Sequence, residues 1–232
     1  MRLYRPKWVL IDIEGTTTKI SFVKEVLFPY ARQRMRQFII DEQGSEQVRL
    51  ACQSTARDAG ISEGVSDYFD QVATKLELWI DEDKKHSALK ELQGILWRSG
   101  YENGDYLAHV YADVAPSLEA WKKLGIKIAI YSSGSVLAQK LLFGHSVEGD
   151  LNPYFSKYFD TQVGPKKESS SYQKICTSLE ADGSDVIFLS DVTGELDAAA
   201  SSGMTAIHIL RPGTDNVGYA PSVASFSELN FD

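Results

Sequence analysis

Short apolar runs, separated by stretches with helical spacing, recur along this chain. One run covers residues 9–11 (VLI), and others are IKIAIY at 126–131, VIFLS at 186–190 and MTAIHIL at 204–210. Consecutive apolar residues are typical of strands that are buried on both faces, as in a parallel sheet. The pattern also predicts a shorter strand near 158–162.

Helices are predicted between these strands in the second half of the chain. Apolar spacing predicts helices over 134–143, 171–181 and 194–202, and PSLEAWKKLG predicts another with Pro116 in its first turn and Gly125 at its end. Strands that alternate with helices indicate an α/β protein with a mostly parallel sheet and right-handed crossovers.

Residues 22 to about 100 differ, because they show helical spacing with few strand signals. Apolar residues recur at helical spacing in SDYFDQVATKLELWIDED and again in SALKELQGILWRSG, for which Gly100 is the predicted C-cap. Pro29 is expected to kink or interrupt an earlier helix. This helical block is therefore predicted to be an insertion after the first strand. The predicted domains are a core of 1–20 and 111–232 and a helical domain of 21–110.

Composition and charge narrow the classes of function. With 232 residues, 43% hydrophobic and 24% charged, the chain has ordinary globular values, which argues against disorder. A net charge of -8 argues against a nucleic-acid partner but leaves a small anionic substrate open. The two cysteines form no CxxC and suggest neither a disulfide framework nor a zinc ribbon. Without a leader pattern or an apolar run of roughly 20 residues, we expect a soluble cytoplasmic protein that contacts no membrane.

Polar side chains follow four of the predicted strands. They are Asp12 and Glu14 after the first, Ser132 and Ser133 after the second, Lys166 beyond the third, and Asp191 and Glu195 after the fourth. Parallel strands open their ligand crevice at their carboxyl ends, so we expect these side chains to meet. Clustered carboxylates require a cation, and hard oxygen ligands suit Mg²⁺. Carboxylates, a lysine and hydroxyl groups together indicate phosphoryl transfer.

The first strand end has the richest chemistry. Asp12 is the predicted nucleophile, which would form an aspartyl-phosphate. Glu14 would protonate the leaving oxygen and then activate water, or would complete the metal site through its backbone carbonyl or its side chain. Gly15 allows the backbone to approach a ligand closely.

Each of these residues also has a structural interpretation. Asp12 can be a helix cap, the two serines can be turn residues, and Asp191 with Glu195 can charge the start of a helix favourably. Lys166 can be a solvated loop charge, and the adjacent Lys167 competes for any role given to it. The joint occurrence of these residues, in order at four strand ends, favours the catalytic interpretation.

Other signatures of function are weaker. The four histidines show no metal-ligand spacing and are predicted to be surface or packed residues; they are His86, His109, His145 and His208. No glycine-rich dinucleotide motif follows a strand and no P-loop motif is present. Trp79 and Trp97 are predicted to be core residues rather than cofactor contacts.

The ordered motifs DIEGTT, IYSSGS, VGPKKESSSYQKI and FLSDVTGELDAA resemble those of the haloacid dehalogenase superfamily. Two features are similar to the enolase-phosphatase family of methionine salvage. Glutamate replaces the second aspartate of the first motif, and the helical block contains DEDKKHSALKELQGILWRSGYENGD, which resembles the cap segment of that family. The resemblance covers essentially the whole chain.

This resemblance implies a Rossmann-like parallel-sheet core with a helical cap inserted between the first two motifs. It implies a monomer that requires Mg²⁺ and acts on a small phosphate ester, 2,3-diketo-5-methylthiopentyl-1-phosphate. That ester would be enolised and then dephosphorylated to the acireductone 1,2-dihydroxy-3-keto-5-methylthiopentene. Position by position, the metal ligands would be Asp12, Glu14 and Asp191, the substrate or phosphate contacts would be Ser132, Ser133 and Lys166, and the nucleophile would be Asp12.

Several alternatives stay open at the level of sequence. The base that starts enolisation can be Glu14, a cap residue or water. The chain can instead be a general small-molecule phosphatase of the same superfamily. A third hypothesis, a signalling module that uses an aspartyl-phosphate as a switch, does not account for the helical insertion.

Overall fold

The structure, a computed structural model, describes residues 1–215 and 217–232 and divides into two compact units. The first unit comprises Met1–Ile20 and Leu107–Asp232, and the second comprises Ser21–Tyr106. Residues 107–110, which the sequence prediction placed in the helical block, lie in the first unit. There Ala108 donates its N–H to the carbonyl of His145 (2.8 Å) and accepts the N–H of Val147 (2.9 Å).

A parallel sheet forms the centre of the first unit, as the sequence predicts. Its strands are β2 (Trp8–Ile11), β3 (Lys127–Tyr131), β4 (Phe155–Phe159), β5 (Val186–Ser190), β6 (Thr205–Ile209) and β7 (Ser222–Val223). They are ordered β4-β3-β2-β5-β6-β7, and every neighbouring pair is parallel. A separate parallel pair joins β1 (Arg2–Leu3) to β8 (Asn230–Phe231).

The prediction of a strand at 158–162 was wrong by three residues. β4 ends at Phe159 because Asp160 starts a turn: its carbonyl accepts the N–H of Val163 (3.1 Å), and its side chain accepts the N–H of Gln162 (2.9 Å). An aspartate that bonds the backbone two residues on is a common turn former.

Four longer helices connect the strands of the first unit. They are α6 (Val114–Lys123), α7 (Val136–Gly144), α8 (Ser169–Leu179) and α9 (Thr193–Ser201). Ser135 caps α7 by accepting the N–H of Ala138 (3.3 Å). Gly125, which closes the turn after α6, has φ +78°, a conformation that favours glycine.

The interior of this unit lies against β2, whose four residues are all buried. Trp8 and Leu10 belong to a cluster that includes Tyr172 from α8, Phe188 from β5 and Leu196 from α9. Alternate residues of a strand share a face, so this cluster packs α8 and α9 against one side of the sheet. The close packing fixes the direction in which β2 delivers the residues that follow it.

The second unit is helical. After a short helix, α1 (Ile20–Phe22), the chain continues through α2 (Phe28–Asp41), α3 (Glu46–Ala59), α4 (Tyr68–Asp81) and α5 (Ser87–Asn103). Trp79 and Trp97 are buried, as predicted, with 1% and 9% of their surface exposed. Within the described parts of the chain, no helix combines the length and the apolar character needed to cross a membrane.

Two details of this unit bear on the sequence predictions. Pro29 follows a π-helical turn, Val23–Leu27, because a proline ring displaces the carbonyl four residues before it and the helix widens rather than breaks. Gly100 is not a C-cap. The helix continues past it to Asn103, and the C-cap is Gly104, with φ +72°. A Cβ at Gly100 would lie 2.7 Å from Tyr106 and 2.8 Å from Tyr30, so glycine is required at this position inside the helix.

Candidate active site

Asp12 lies directly beyond β2, in the middle of the sheet. Its backbone N–H donates to the carbonyl of Leu189 in β5 (2.9 Å), which continues the strand ladder by one residue. The residue is 4% exposed, so its carboxylate requires a partner. The position is therefore both buried and rigidly attached to two central strands.

Lys166 provides that partner. Its Nζ binds Asp12 Oδ1 and lies 2.6 Å from Oε2 of Glu195. Burial alone lowers the pKa of the Lys166 ammonium, but the negative charges of Asp12 and Glu195 outweigh burial and raise it, so the lysine stays charged. The adjacent Lys167 extends its aliphatic chain past Gly194 instead, which makes Lys166 the lysine of the cluster.

The loop that carries Lys166 is held by three hydroxyl groups. Tyr131 donates to the carbonyl of Gly164 (2.9 Å), Ser171 to that of Pro165 (2.8 Å) and Tyr172 to that of Lys166 itself (2.7 Å). Three successive carbonyls are thus each bound by a side chain. This arrangement fixes which residue of the loop points towards Asp12.

Asp191 follows β5 and packs against the turn after β2. A Cβ added to Gly15 would lie 2.1 Å from Asp191 Oδ2, so only glycine allows the carboxylate to lie this close to the backbone. Thr16 accepts the N–H of Asp191 at Oγ1 (3.1 Å) and contacts its Oδ1 (3.4 Å). Burial first, and the negative charge of Asp12 second, raise the pKa of Asp191 to about 7.

Glu195, in the first turn of α9, completes the charged cluster. Its side chain is buried, and Ser190 donates to its Oε2 (3.0 Å). Burial, followed by the charge of Asp12, raises the pKa of this carboxyl group, while Lys166 opposes the rise. Lys166 is therefore shared between two buried carboxylates, Asp12 and Glu195.

Glu14 lies in a tight turn rather than in a strand. Its backbone pairs with Thr18, the N–H of Gly15 donates to the carbonyl of Thr18 (2.8 Å), and the residue is half-buried. The turn places the backbone of Gly15, the residue after Glu14, beside Asp191.

A metal ion can be tested against these donors. Among residues 1–215 and 217–232, no group of three or more His, Cys, Asp or Glu side chains is arranged to hold a metal, so Asp12, Glu14 and Asp191 are not assembled as three side-chain ligands. Asp12 and Asp191 still place two hard carboxylates within mutual electrostatic range, and Gly15 leaves the space that a Cβ would fill. These donors fit a hard cation if the backbone carbonyl of Glu14 is the third ligand, the alternative that the sequence left open.

Ser132 and Ser133 follow β3, next to β2 in the sheet. Ser132 is buried, donates its backbone N–H to the carbonyl of Phe159 (3.2 Å) and accepts the N–H of Gly134 at Oγ (3.3 Å). Ser133 is half-buried. Both hydroxyls therefore belong to the correct edge of the sheet, and their binding of substrate stays a prediction.

The sequence predicts no site role for three residues that the structure connects to this cluster. Thr16 is only part of a motif in the sequence, His208 is predicted to be a surface or packed residue, and Arg211 has no predicted role. His208 lies opposite Ser190 in the register of β5 and β6, and its Nε2 is 3.0 Å from the carbonyl of Asp191. Strand pairing was the signal that could have identified it, since a residue opposite the end of a catalytic strand lies within reach of the next residue.

Comparisons with known proteins identify the family of this chain. A family model described as haloacid dehalogenase-like hydrolase matches residues 6–203. Enolase-phosphatase E1 from Sorangium cellulosum is 48% identical over 89% of this chain and 88% of its own length. Enolase-phosphatase E1 from Yersinia enterocolitica is 46% identical over 97% of this chain and 96% of its own.

A solved structure is similar over the same range. The crystal structure of the UTR4 protein from Saccharomyces cerevisiae superposes with a TM-score of 0.80 at 36% identity, and covers 97% of this chain and 100% of its own. These similarities extend through the helical unit as well as the sheet. The chain belongs to the enolase-phosphatase family of the haloacid dehalogenase-like hydrolases.

Proposed function

We propose that the protein is a Mg²⁺-dependent enolase-phosphatase of methionine salvage. It converts 2,3-diketo-5-methylthiopentyl-1-phosphate and water to the acireductone 1,2-dihydroxy-3-keto-5-methylthiopentene and phosphate. The observation that carries the proposal is the buried ion-pair cluster at the carboxyl ends of β2 and β5, where Lys166 joins Asp12 to Glu195 beside Asp191. Relatives named enolase-phosphatase E1 support the reaction.

Phosphoryl transfer is assigned to Asp12. Lys166 engages Oδ1, so the attack on phosphorus is assigned to Oδ2. A bond forms between that oxygen and phosphorus, and the bond from phosphorus to the enol oxygen breaks. Water then attacks the aspartyl-phosphate, which releases phosphate and restores the carboxylate. Glu14 is the proposed acid for the leaving oxygen and the base for water.

Positive charge is essential to this step, because a phosphate and a carboxylate repel each other. Lys166 supplies one positive charge, because its two carboxylate partners raise its pKa and keep its ammonium group protonated. Mg²⁺, held by Asp12, Asp191 and residue 14, would supply two more. Ser132 and Ser133 are assigned to the phosphate oxygens, which hydroxyl donors bind well.

Enolisation precedes this transfer. A base removes a proton from the carbon that bears the phosphate ester, and the electrons move onto the neighbouring carbonyl oxygen. Lys166 is the residue assigned to stabilise the resulting negative charge. The base is Glu14, a residue of the helical unit, or water.

The remaining assignments follow from the family and from charge. The unit Met1–Ile20 with Leu107–Asp232 is assigned as the catalytic core, and Ser21–Tyr106 as the cap. We assign the protein to the cytoplasm as a monomer, and a net charge of -8 supports the absence of a nucleic-acid partner. Sedimentation of the pure protein tests the monomer.

The activity is tested by following phosphate release and acireductone formation from the diketo ester with Mg²⁺. Asp12→Asn should lower phosphate release by at least about 10³-fold, because an amide cannot serve as the nucleophile. Asp185→Asn is the matched control, since Asp185 pairs with Lys7 at the opposite end of β5. Full turnover by Asp12→Asn would refute the assignment of Asp12 as the nucleophile. A sugar phosphate that is hydrolysed faster than the diketo ester would favour a general phosphatase.

A further inference from the structure

Two buried polar residues lie beyond residue 203, where the match to the family model ends. They are His208 in β6 and Arg211, two residues beyond the end of β6, with 0% and 7% of their surface exposed. Burying a polar or charged side chain costs free energy unless it is bonded. Their partners therefore indicate why these residue types occur here.

His208 binds the backbone of Asp191. Its Nε2 lies 3.0 Å from the carbonyl oxygen, which can only accept, so Nε2 carries the proton. Nδ1 is buried and has no hydrogen-bond partner among the residues that the structure describes. An apolar side chain would avoid that cost, so packing alone does not explain a histidine at this position. The bond to Asp191 does.

Arg211 acts on the same residue through Thr16. Its Nε donates to the carbonyl of Thr16 (2.9 Å), while Nη1 binds both oxygens of Asp113 (2.9 Å each). The guanidinium lies over the ring of Tyr111, 4.3 Å from its centroid. The side chain is thus held on several sides, and it holds Thr16 in turn.

These contacts converge on the backbone of Asp191. Its N–H donates to the hydroxyl of Thr16, and its carbonyl accepts from His208. We propose that His208, directly, and Arg211, through Thr16, are positioning residues that hold the Asp191 carboxylate over Gly15 for Mg²⁺ binding. This inference rests on the proposed function, because it takes Asp191 as a metal ligand.

The test measures Mg²⁺ affinity by titration calorimetry, without substrate. His208→Gln keeps an N–H donor at the position of Nε2, whereas His208→Met has no donor. Residues that support metal ligands typically contribute 10- to 100-fold in affinity, so His208→Met should bind Mg²⁺ at least about 10-fold more weakly, and His208→Gln within about threefold of the wild type. Arg211→Lys loses the fork that joins Thr16 to Asp113 and should weaken binding similarly.

Ser146→Ala is the control, because it removes a buried hydrogen bond to Gly149 (2.6 Å) outside this network. It should lower thermal stability and leave Mg²⁺ affinity unchanged. If His208→Met does not fold, His208→Asn replaces it, since its shorter amide does not reach the Asp191 carbonyl. Equal Mg²⁺ affinity in His208→Gln and in the variant that cannot donate to the Asp191 carbonyl, His208→Met or His208→Asn, would overturn the inference.

Measurements on the wild type distinguish failure of the proposed function from failure of the positioning inference. If the wild type binds Mg²⁺ but releases no phosphate from the diketo ester, the proposed function is wrong. The positioning inference is then still decided by the ratio of Mg²⁺ affinities among the variants.

Discussion

Replacement of Gly15 by alanine tests how closely the Asp191 carboxylate must approach the backbone. The new Cβ would lie 2.1 Å from Oδ2 and 2.4 Å from Cγ of Asp191, at a residue with φ +74°. The left-handed backbone costs an alanine about 1–2 kcal/mol. In addition, the carboxylate has to retreat by about 1 Å, and a misplacement of that size can lower a rate by about 10²-fold.

We therefore expect Gly15→Ala to release phosphate from the diketo ester about 100-fold more slowly than the wild type. The backbone strain should lower the melting temperature by roughly 2–8 °C, because 1 kcal/mol corresponds to about 2–4 °C for a chain of this size. The two readouts are a phosphate-release assay at saturating Mg²⁺ and a thermal unfolding curve of the same preparation.

Gly125→Ala separates strain from the clash. Gly125 has φ +78°, nearly the same as Gly15, but no heavy atom lies within 4 Å of its added Cβ. This variant should lose a similar amount of thermal stability and keep its activity within about twofold. The reasoning is refuted if Gly15→Ala retains full activity, or if Gly125→Ala loses as much activity as Gly15→Ala.

Two further predictions concern the groups around the cluster. Tyr172→Phe removes the hydroxyl that binds the Lys166 carbonyl (2.7 Å), and should lower phosphate release by about 5- to 10-fold and the free energy of unfolding by about 1 kcal/mol. The control, Tyr158→Phe, loses a bond to Asn152 (2.6 Å) and should lower only stability. Equal activities of the two variants would contradict the role given to the loop. The pKa of Asp191 in the folded protein is raised to about 7 from an ordinary value near 4, so folding favours the protonated carboxyl group. With a chelator present to remove Mg²⁺, the contribution of this group to the free energy of unfolding should therefore fall as pH rises from about 4 to 7. The melting temperature of Asp191→Asn relative to the wild type should therefore increase over that pH range in chelator, and a constant difference would contradict the shift.

The parallel sheet was predictable because its strongest signal is local. Residues 9–11 and 186–189 are uninterrupted apolar runs, and both lie in buried strands. Element ends were less predictable, since tertiary contacts decide them. Gly100 has the sequence character of a helix stop, yet Tyr30 and Tyr106 pack so closely against it that glycine is required inside the helix.

The charged residues that follow strands could be predicted from the sequence, whereas the contacts of side chains with main-chain carbonyls could not. Asp12, Lys166 and Asp191 meet as expected, but sequence alone could not separate Lys166 from Lys167, because three hydroxyl bonds to the loop select between them. His208 was predicted only to be a packed or surface residue. His208 binds the main-chain carbonyl of Asp191, and contacts to main-chain atoms cannot be inferred from the type of the residue that carries them.

The position of β2 in the sheet has a consequence for synthesis of the chain. β2 is made before the helical unit, whereas its neighbours β3 and β5 are made after that unit, with β5 the later of the two. On the ribosome, the helices of 21–106 can pack from local contacts while WVLI still has no strand to pair with. Closure of two long loops should therefore set the folding rate of the sheet, and a nascent chain that stops before Val186 exposes an aggregation-prone strand edge.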